Sequence, residues 1–319
     1  MAGPEAQPTP QDMKSIWAIG GGKGGTGKSF MTASLGIQLA QLGRRTIIVD
    51  ADLGAANLHT CLGVKSPKVT LADFLSRTVS SLEDLLLDTS VEGLQFISAA
   101  RDSFELANPA FQQKQRMINH IKRLPAEFII VDIGGGSGFN AVDFFLCATT
   151  GIMLANPEPT SVENTYRFLK SAILRKLYRV ADGRQLKETI REALAQADGQ
   201  EIKTIQDLIH QVRPYNGVVA ERLEEALRDF RPFLILNQAR RKDDVDLGRS
   251  IEDIARKYLG VEVRYVGAVP YDEKVHYAVK QFKPLLIEYP SSQAAASIEA
   301  ITRTLLGMTE SRAVAAQES

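Results

Sequence analysis

Gly22, Gly27, Lys28 and Ser29 stand at the spacing G-x-x-x-x-G-K-[ST]. Glycines in such a loop adopt positive φ and let backbone N–H groups approach phosphate oxygens. The lysine reaches the β- and γ-phosphates and the serine hydroxyl can hold Mg2+. Lys28 and Ser29 are therefore expected in those roles. Two acidic strand ends extend the chemistry. "TIIVDAD" ends in Asp50 and Asp52, and "FIIVDIG" delivers Asp132 after four apolar residues. Carboxylates at the carboxyl ends of parallel strands lie at the ligand crevice of an open α/β sheet. Asp132 has the pattern of a strand that brings one carboxylate to the Mg2+ shell. Asn237, just beyond "FLILN", carries an amide that can pair with adenine N6 and N7; a structural cap is the alternative. No Thr/Asn-Lys-x-Asp motif occurs, which favours ATP over GTP.

The elements that must position these residues are legible as short apolar runs. Residues 15–21, 46–52, 94–100, 128–134, 151–158, 233–238 and 264–271 read as strands. They are continuous rather than alternating, as suits strands buried on both faces. Helical patterns lie between most of them, at 28–42, 108–124, 161–179, 245–259 and 292–306. The alternation predicts an α/β fold, a doubly wound and mostly parallel sheet of about seven strands. Residues 53–92 read as a loop and one or two short helices. Residues 181–230 hold no good strand and read as a helical insert. Residues 1–13 read as a disordered tail and 307–319 as a frayed one. The domain is thus expected over 14–306.

Lys23 to Ser29, "KGGTGKS", resembles the deviant phosphate loop of the MinD/ParA group of P-loop NTPases, K-G-G-x-G-K-[ST]. The resemblance implies that Gly22, Gly24, Gly25, Thr26, Gly27, Lys28 and Ser29 wrap the phosphates of ATP. It also implies that Lys23 reaches across a dimer interface to the other subunit's nucleotide. A cation arriving in trans would link γ-phosphate charge to dimer stability; a solvated loop lysine is the plain alternative. Phe30 departs from the pattern, where a small hydroxylic residue touches the α-phosphate, so that backbone N–H groups alone are expected there.

"DADLGAANL" is similar to the switch I region of MinD and, more closely, of FlhG-type members, D-x-D-x-G-x-x-N-L. The likeness implies that Asp52 orients the attacking water, that Asp50 supports Mg2+ through water, and that Asn57 lines the γ-phosphate side. Gly134 to Gly136 resemble the switch II turn, with Gly135 offering a backbone N–H to the γ-phosphate. Three glycines suggest a switch that closes less sharply than in relatives. Pro270 opens a loop that in the family passes beside the base.

The bulk numbers exclude several classes. The 319 residues carry 38 Lys+Arg and 38 Asp+Glu, for a formal net charge of zero. No dominant attraction to nucleic acid or anionic membrane follows, and DNA is not indicated as a partner. Two distant cysteines, Cys61 and Cys147, make no CxxC and suggest a reducing compartment. The four histidines are scattered. "SIEAITRTLLGMTESRAV" offers only Arg303 and Arg312 as cations, which is weak support for a membrane-binding helix. The resemblance implies a cytoplasmic ATPase, with a peripheral place at the inner membrane face as the weaker alternative. It implies a nucleotide-dependent homodimer that recruits a protein partner and hydrolyses ATP slowly without one. Such a switch would set the position or number of flagella, division machinery or DNA cargo. A non-hydrolysing ATP-binding scaffold and an ATPase of metallocofactor maturation are the alternatives.

Overall fold

The computed structural model describes residues 14–65, 67–99, 109–180, 187, 188, 190, 191, 204–214 and 216–317. The expected tail at 1–13 and most of 181–203 lie outside the described residues. One sheet of eight strands organises the chain, in the order β3-β4-β2-β5-β1-β6-β7-β8. The strands are β1 Ser15–Gly20, β2 Thr46–Ala51, β3 Leu87–Asp88, β4 Leu94–Ile97, β5 Phe128–Ile133, β6 Thr150–Ala155, β7 Phe233–Ala239 and β8 Arg264–Pro270. All neighbours run parallel except β3 and β4. The seven expected strands are all present. The eighth, β3, lies in a stretch expected to be helical; only its two residues extend, at the sheet's edge beside Leu94–Ile97. A short antiparallel edge strand leaves little unpaired backbone to recruit another chain.

Helices cover both faces. On one side lie α1 (Lys28–Gln41), α2 (Leu58–Leu62) and three helices from the last third of the chain. Trp17, Ile19, Leu35, Ile48, Ile152 and Ile235 meet helical residues such as Met31, Ala278, Ile298 and Leu305 in that layer. On the other side lie α3 (Leu71–Leu75), α4 (Phe111–Ile121), α5 (Phe139–Phe145), α6 (Pro159–Val180), α7 (Ile205–Val212), α8 (Gly217–Arg228) and α9 (Lys242–Ile254). The described part of the insert, α7 and α8, is not a detached decoration. Leu208, Val212, Leu223 and Leu227 share one apolar cluster with Phe168, Leu169 and Ile173 of α6. Amphipathic spacing gives each of these helices one buried stripe, and the sheet's own apolar face is what it covers.

The remaining helices are α10 (Glu273–Lys280), α11 (Leu285–Glu288) and α12 (Gln293–Gln317). The last corrects an expectation: the helix continues through 307–317, where fraying was expected. Thr309 is buried, Arg44 pairs with Glu310 at 2.6 Å, and Arg312 lies over the Phe233 ring. Gly307 is tolerated because neighbours on both sides of it are anchored.

Candidate functional site

The glycine loop joins β1, at the centre of the sheet, to α1. Gly25 and Gly27 take φ of 78° and 90°, a region that side chains with a Cβ rarely adopt. Gly27 is the N-cap of α1, so that helix aims its free N–H groups into the loop. The loop is open outwards and tight inwards. A Cβ on Gly24 or Gly25 would meet nothing within 4 Å, whereas one on Gly22 would lie 1.8 Å from the Asn164 carbonyl oxygen. The Thr26 hydroxyl is buried and has no hydrogen-bond partner among the described residues. A buried orphan of this kind is costly unless a ligand satisfies it, and a phosphate oxygen in the loop would. The loop therefore fits a phosphate chain.

Lys28 is buried, and its Nζ donates to the Lys23 carbonyl oxygen at 3.0 Å. Burial lowers its pKa, while the Asp132 and Asp52 carboxylates pull the other way. Asp50 and Asp132 are register partners on β2 and β5 and are 0% and 1% exposed. Burial first, and then Asp132, push the Asp50 carboxyl well above the usual carboxylate range. Burial likewise lifts Asp132 to about 6, although Ser29, Lys28 and Thr32 each oppose the rise. The Thr32 hydroxyl donates to Asp132 Oδ1 at 3.2 Å. Two buried carboxylates and the Ser29 hydroxyl form a set of hard oxygens that fits Mg2+, with the Lys28 cation beside them.

Asp52 follows β2. Its Oδ1 accepts from the N–H groups of Gly54 and Ala55, at 3.3 and 3.1 Å. It adjoins the glycine turn after β5: a Cβ on Gly134 would lie 3.1 Å from that same oxygen. A Cβ on Gly135 would lie 3.0 Å from the Gly24 nitrogen, and the Gly136 N–H donates to the Gly21 carbonyl oxygen at 3.1 Å. The glycine-rich turn is thus fitted against the phosphate loop backbone to backbone. Close approach accounts for Gly135 better than looseness does.

Four expected residues stand differently. The Phe30 side chain is buried in the apolar layer that holds Met31, Leu35, Leu58 and Leu62, so it supplies the core, and only its backbone N–H is left to face a phosphate. Asn57 is exposed, with its Nδ2 turned back to the Ala55 carbonyl oxygen at 3.1 Å. Asn237 donates from Nδ2 to the Thr26 carbonyl oxygen at 2.8 Å. That bond ties β7 to the loop. Pro270 ends β8, with the Arg240 guanidinium stacked 4.0 Å above the ring of the next residue, Tyr271.

Sequence reasoning missed the residues that meet Lys23. Its Nζ, exposed on the loop, lies 3.3 Å from Glu158 Oε2 and 3.4 Å from Thr160 Oγ1, both just after β6. The buried Asn156 Oδ1 of that same loop has no hydrogen-bond partner among the described residues. Among what the sequence displays, only the loop's position after a core strand pointed there.

Residues 17–285 match the family described as the CobQ/CobB/MinD/ParA nucleotide binding domain. The antiactivator FleN of Pseudomonas aeruginosa is 26% identical over 290 residues, covering 90% of this chain and 85% of its own. A septum site-determining protein MinD of Helicobacter pylori is 27% identical over 263 residues, covering 80% and 94%. Among solved structures, the septum site-determining protein MinD of Pyrococcus horikoshii, complexed with Mg-ADP, superposes with a TM-score of 0.64. It is 22% identical and covers 93% of this chain and 99% of its own, a likeness of fold.

Proposed function

The chain belongs to the CobQ/CobB/MinD/ParA nucleotide-binding family, and from that premise we propose that it is a magnesium-using ATPase which acts as a dimerising switch and positions a cellular structure. The carrying observation is one edge of the sheet, where Lys28, Asp50, Asp52 and Asp132 converge under an open glycine loop whose remaining lysine, Lys23, faces outwards.

ATP enters the loop with its phosphates against the backbone of Gly22 to Gly27 and the first turn of α1. Lys28 exchanges the Lys23 carbonyl oxygen for phosphate oxygens, and the Thr26 hydroxyl gains a partner. Ser29, Asp132 and Asp50 would hold Mg2+, which would supply neutralisation of the charge on the phosphates during transfer. Asp52 leaves its own turn to orient a water for in-line attack; it acts by positioning more than by strong basicity, which predicts slow turnover without a partner. Asn237 Oδ1 and the Arg240–Tyr271 stack bound the base. Lys23 of each subunit swings from Glu158 to the partner subunit's nucleotide, so that γ-phosphate charge favours the dimer. Hydrolysis removes that charge and the dimer separates.

A protein partner that stimulates hydrolysis completes the reading. The FleN relative is an antiactivator and the MinD relatives determine septum sites; the latter supports a division site as the object positioned, with a flagellum or a DNA cargo as the alternatives that the sequence resemblance implies. No described helix is long and apolar enough to cross a membrane; a peripheral membrane contact and DNA remain secondary proposals. A non-hydrolysing scaffold is the second reading, favoured by the hold of Gly54 and Ala55 on Asp52.

Asp52→Ala separates the two. The variant is expected to bind Mg-ATP and accumulate as dimer while hydrolysis falls about a hundredfold or more. Equal hydrolysis by wild type and variant, read as phosphate release per dimer, would discard the hydrolytic switch and leave the scaffold.

A further inference from the structure

At the opposite edge of the sheet, four arginines surround one cleft of about 540 Å³. Arg231 precedes β7, Arg264 begins β8, and Arg303 and Arg312 stand on α12. Glu262 is the only carboxylate lining the cleft among the described residues. It is shared loosely, 3.6 Å from Arg231 and 3.8 Å from Arg264. A seven-residue strand of roughly 20 Å separates this edge from the phosphate loop.

The guanidinium groups are held by contacts other than each other. Arg303 donates from Nε and Nη2 to the one oxygen Glu299 Oε1, at 3.1 and 3.0 Å. Arg312 donates to the Arg231 carbonyl oxygen at 3.0 Å and lies 4.5 Å over the Phe233 ring. Arg231 Nε donates to the Arg228 carbonyl oxygen at 2.9 Å. Each keeps N–H groups beyond these bonds, since a guanidinium has five. Burial, and then the like charges of Arg264 and Arg231, lower the pKa of Arg312. Cations fixed close together in a half-buried cleft repel one another, and an anion between them removes the repulsion. Planar guanidinium forks suit phosphate oxygens best.

We propose that this cleft is a second anion site, which takes a phosphate-bearing ligand between Arg231, Arg264, Arg303 and Arg312, apart from the nucleotide loop. The phosphate group belongs to a soluble phosphorylated molecule or to a lipid headgroup. Two arms distinguish these sources. In the first, inorganic pyrophosphate is titrated calorimetrically into the full chain saturated with Mg-ADP, so that the loop is already filled. In the second, the same protein is sedimented with phosphatidylglycerol or with phosphatidylcholine vesicles. The probe variant is Arg264→Gln with Arg303→Gln, two exposed side chains whose loss spares the Arg312–Phe233 stack.

Tighter pyrophosphate binding by wild type, weakened about tenfold or more in the variant, assigns a soluble ligand. Sedimentation of wild type alone, and only with phosphatidylglycerol, assigns a headgroup. A wild type that binds in neither arm, or a variant that equals it in both, overturns the site. Arg312→Gln, checked by circular dichroism for a native fold, must give the same result as the double variant.

Discussion

Glycine 22 carries the tightest contact at the site. Its added Cβ would stand 1.8 Å from a backbone oxygen of α6, which cannot turn aside as a side chain could. Gly22→Ala is therefore expected to cost about 3 kcal/mol or more in urea unfolding and to weaken nucleotide binding with it. Thr32→Val probes the carboxylate end. It removes one donor from the buried Asp132 and is expected to cost about 1 kcal/mol and to weaken the Mg2+ dependence of nucleotide binding, measured by titration of Mg2+ at fixed ATP. Lys23→Ala tests the trans lysine: Mg-ATP binding should persist while ATP-dependent dimers vanish in light scattering, and intact dimers would remove that role. The types and spacing of Lys28, Ser29, Asp50 and Asp132 were legible because short-range motif geometry decides where they go. The partners of Thr32 and Lys23 were not. They come from 100 and 135 residues away in sequence, and no local pattern encodes such distances. Phe30 shows the same limit: as a motif position it looked like a flaw, and packing makes it part of the core.

Helices α4, α5 and α6 meet at one carboxylate. Asp143 of α5, 1% exposed, pairs with Lys114 of α4 and with Arg175 and Arg179 of α6, the latter two at 2.8 and 2.6 Å. Burial alone would raise its pKa, but the hydrogen bonds and charges of Arg175 and Lys114 outweigh burial and hold it at about 2. A carboxyl whose folded pKa lies below its unfolded value stabilises fully above the unfolded pKa. That contribution, about 2 kcal/mol, is lost as pH falls from about 4 towards 2. Asp143→Asn should remove this acid limb from the stability profile and cost about 3 kcal/mol at neutral pH, because it leaves buried Lys114 without its charge partner. Since α5 directly follows the glycine turn, the variant should also blunt any nucleotide-dependent change in the turn's hydrogen exchange. The loop after β6 makes a weaker hold. Lys23 and Glu158 are 43% and 58% exposed, and exposed pairs are screened and contribute little. Glu158→Gln is accordingly expected to lower the ATP concentration for half-maximal dimer formation by no more than about threefold, read by light scattering. A core strand of four to seven residues announces itself by an apolar run, and all seven such runs were read as strands. The two residues of β3 cannot, because their extension is decided by the neighbouring edge.

Across the molecule the two edges of the sheet have different work. The carboxyl edge gathers the glycine loop with Lys28, Asp50, Asp52 and Asp132, and the amino edge is closed by the last helix. Composition gave no sign that 307–317 would hold: the segment has a glycine, few large apolar residues and no strong stripe. What holds it is distributed over the fold. Arg44, in the turn before β2, pairs with Glu310 and Glu127 at 2.6 and 3.6 Å; Thr309 is buried; and Arg312 stacks on Phe233 at the start of β7. A half-buried ion pair contributes up to about 1 kcal/mol, a cation over an aromatic face about 1, and the apolar contacts of Met308 and its neighbours about another 1. Ending the chain at residue 306 should therefore lower stability by about 3 kcal/mol and the Tm by about 5 °C, measured by calorimetry on the full chain and the shortened one. Because the carboxyl edge lies roughly 20 Å away, Mg-ATP affinity should change by less than about twofold once the temperature is kept well below both transitions. An unchanged Tm would mean that the last three turns contribute no packing. A large loss of Mg-ATP affinity in a protein still folded would mean instead that α12 reaches the site through the sheet, and that the two edges are one device.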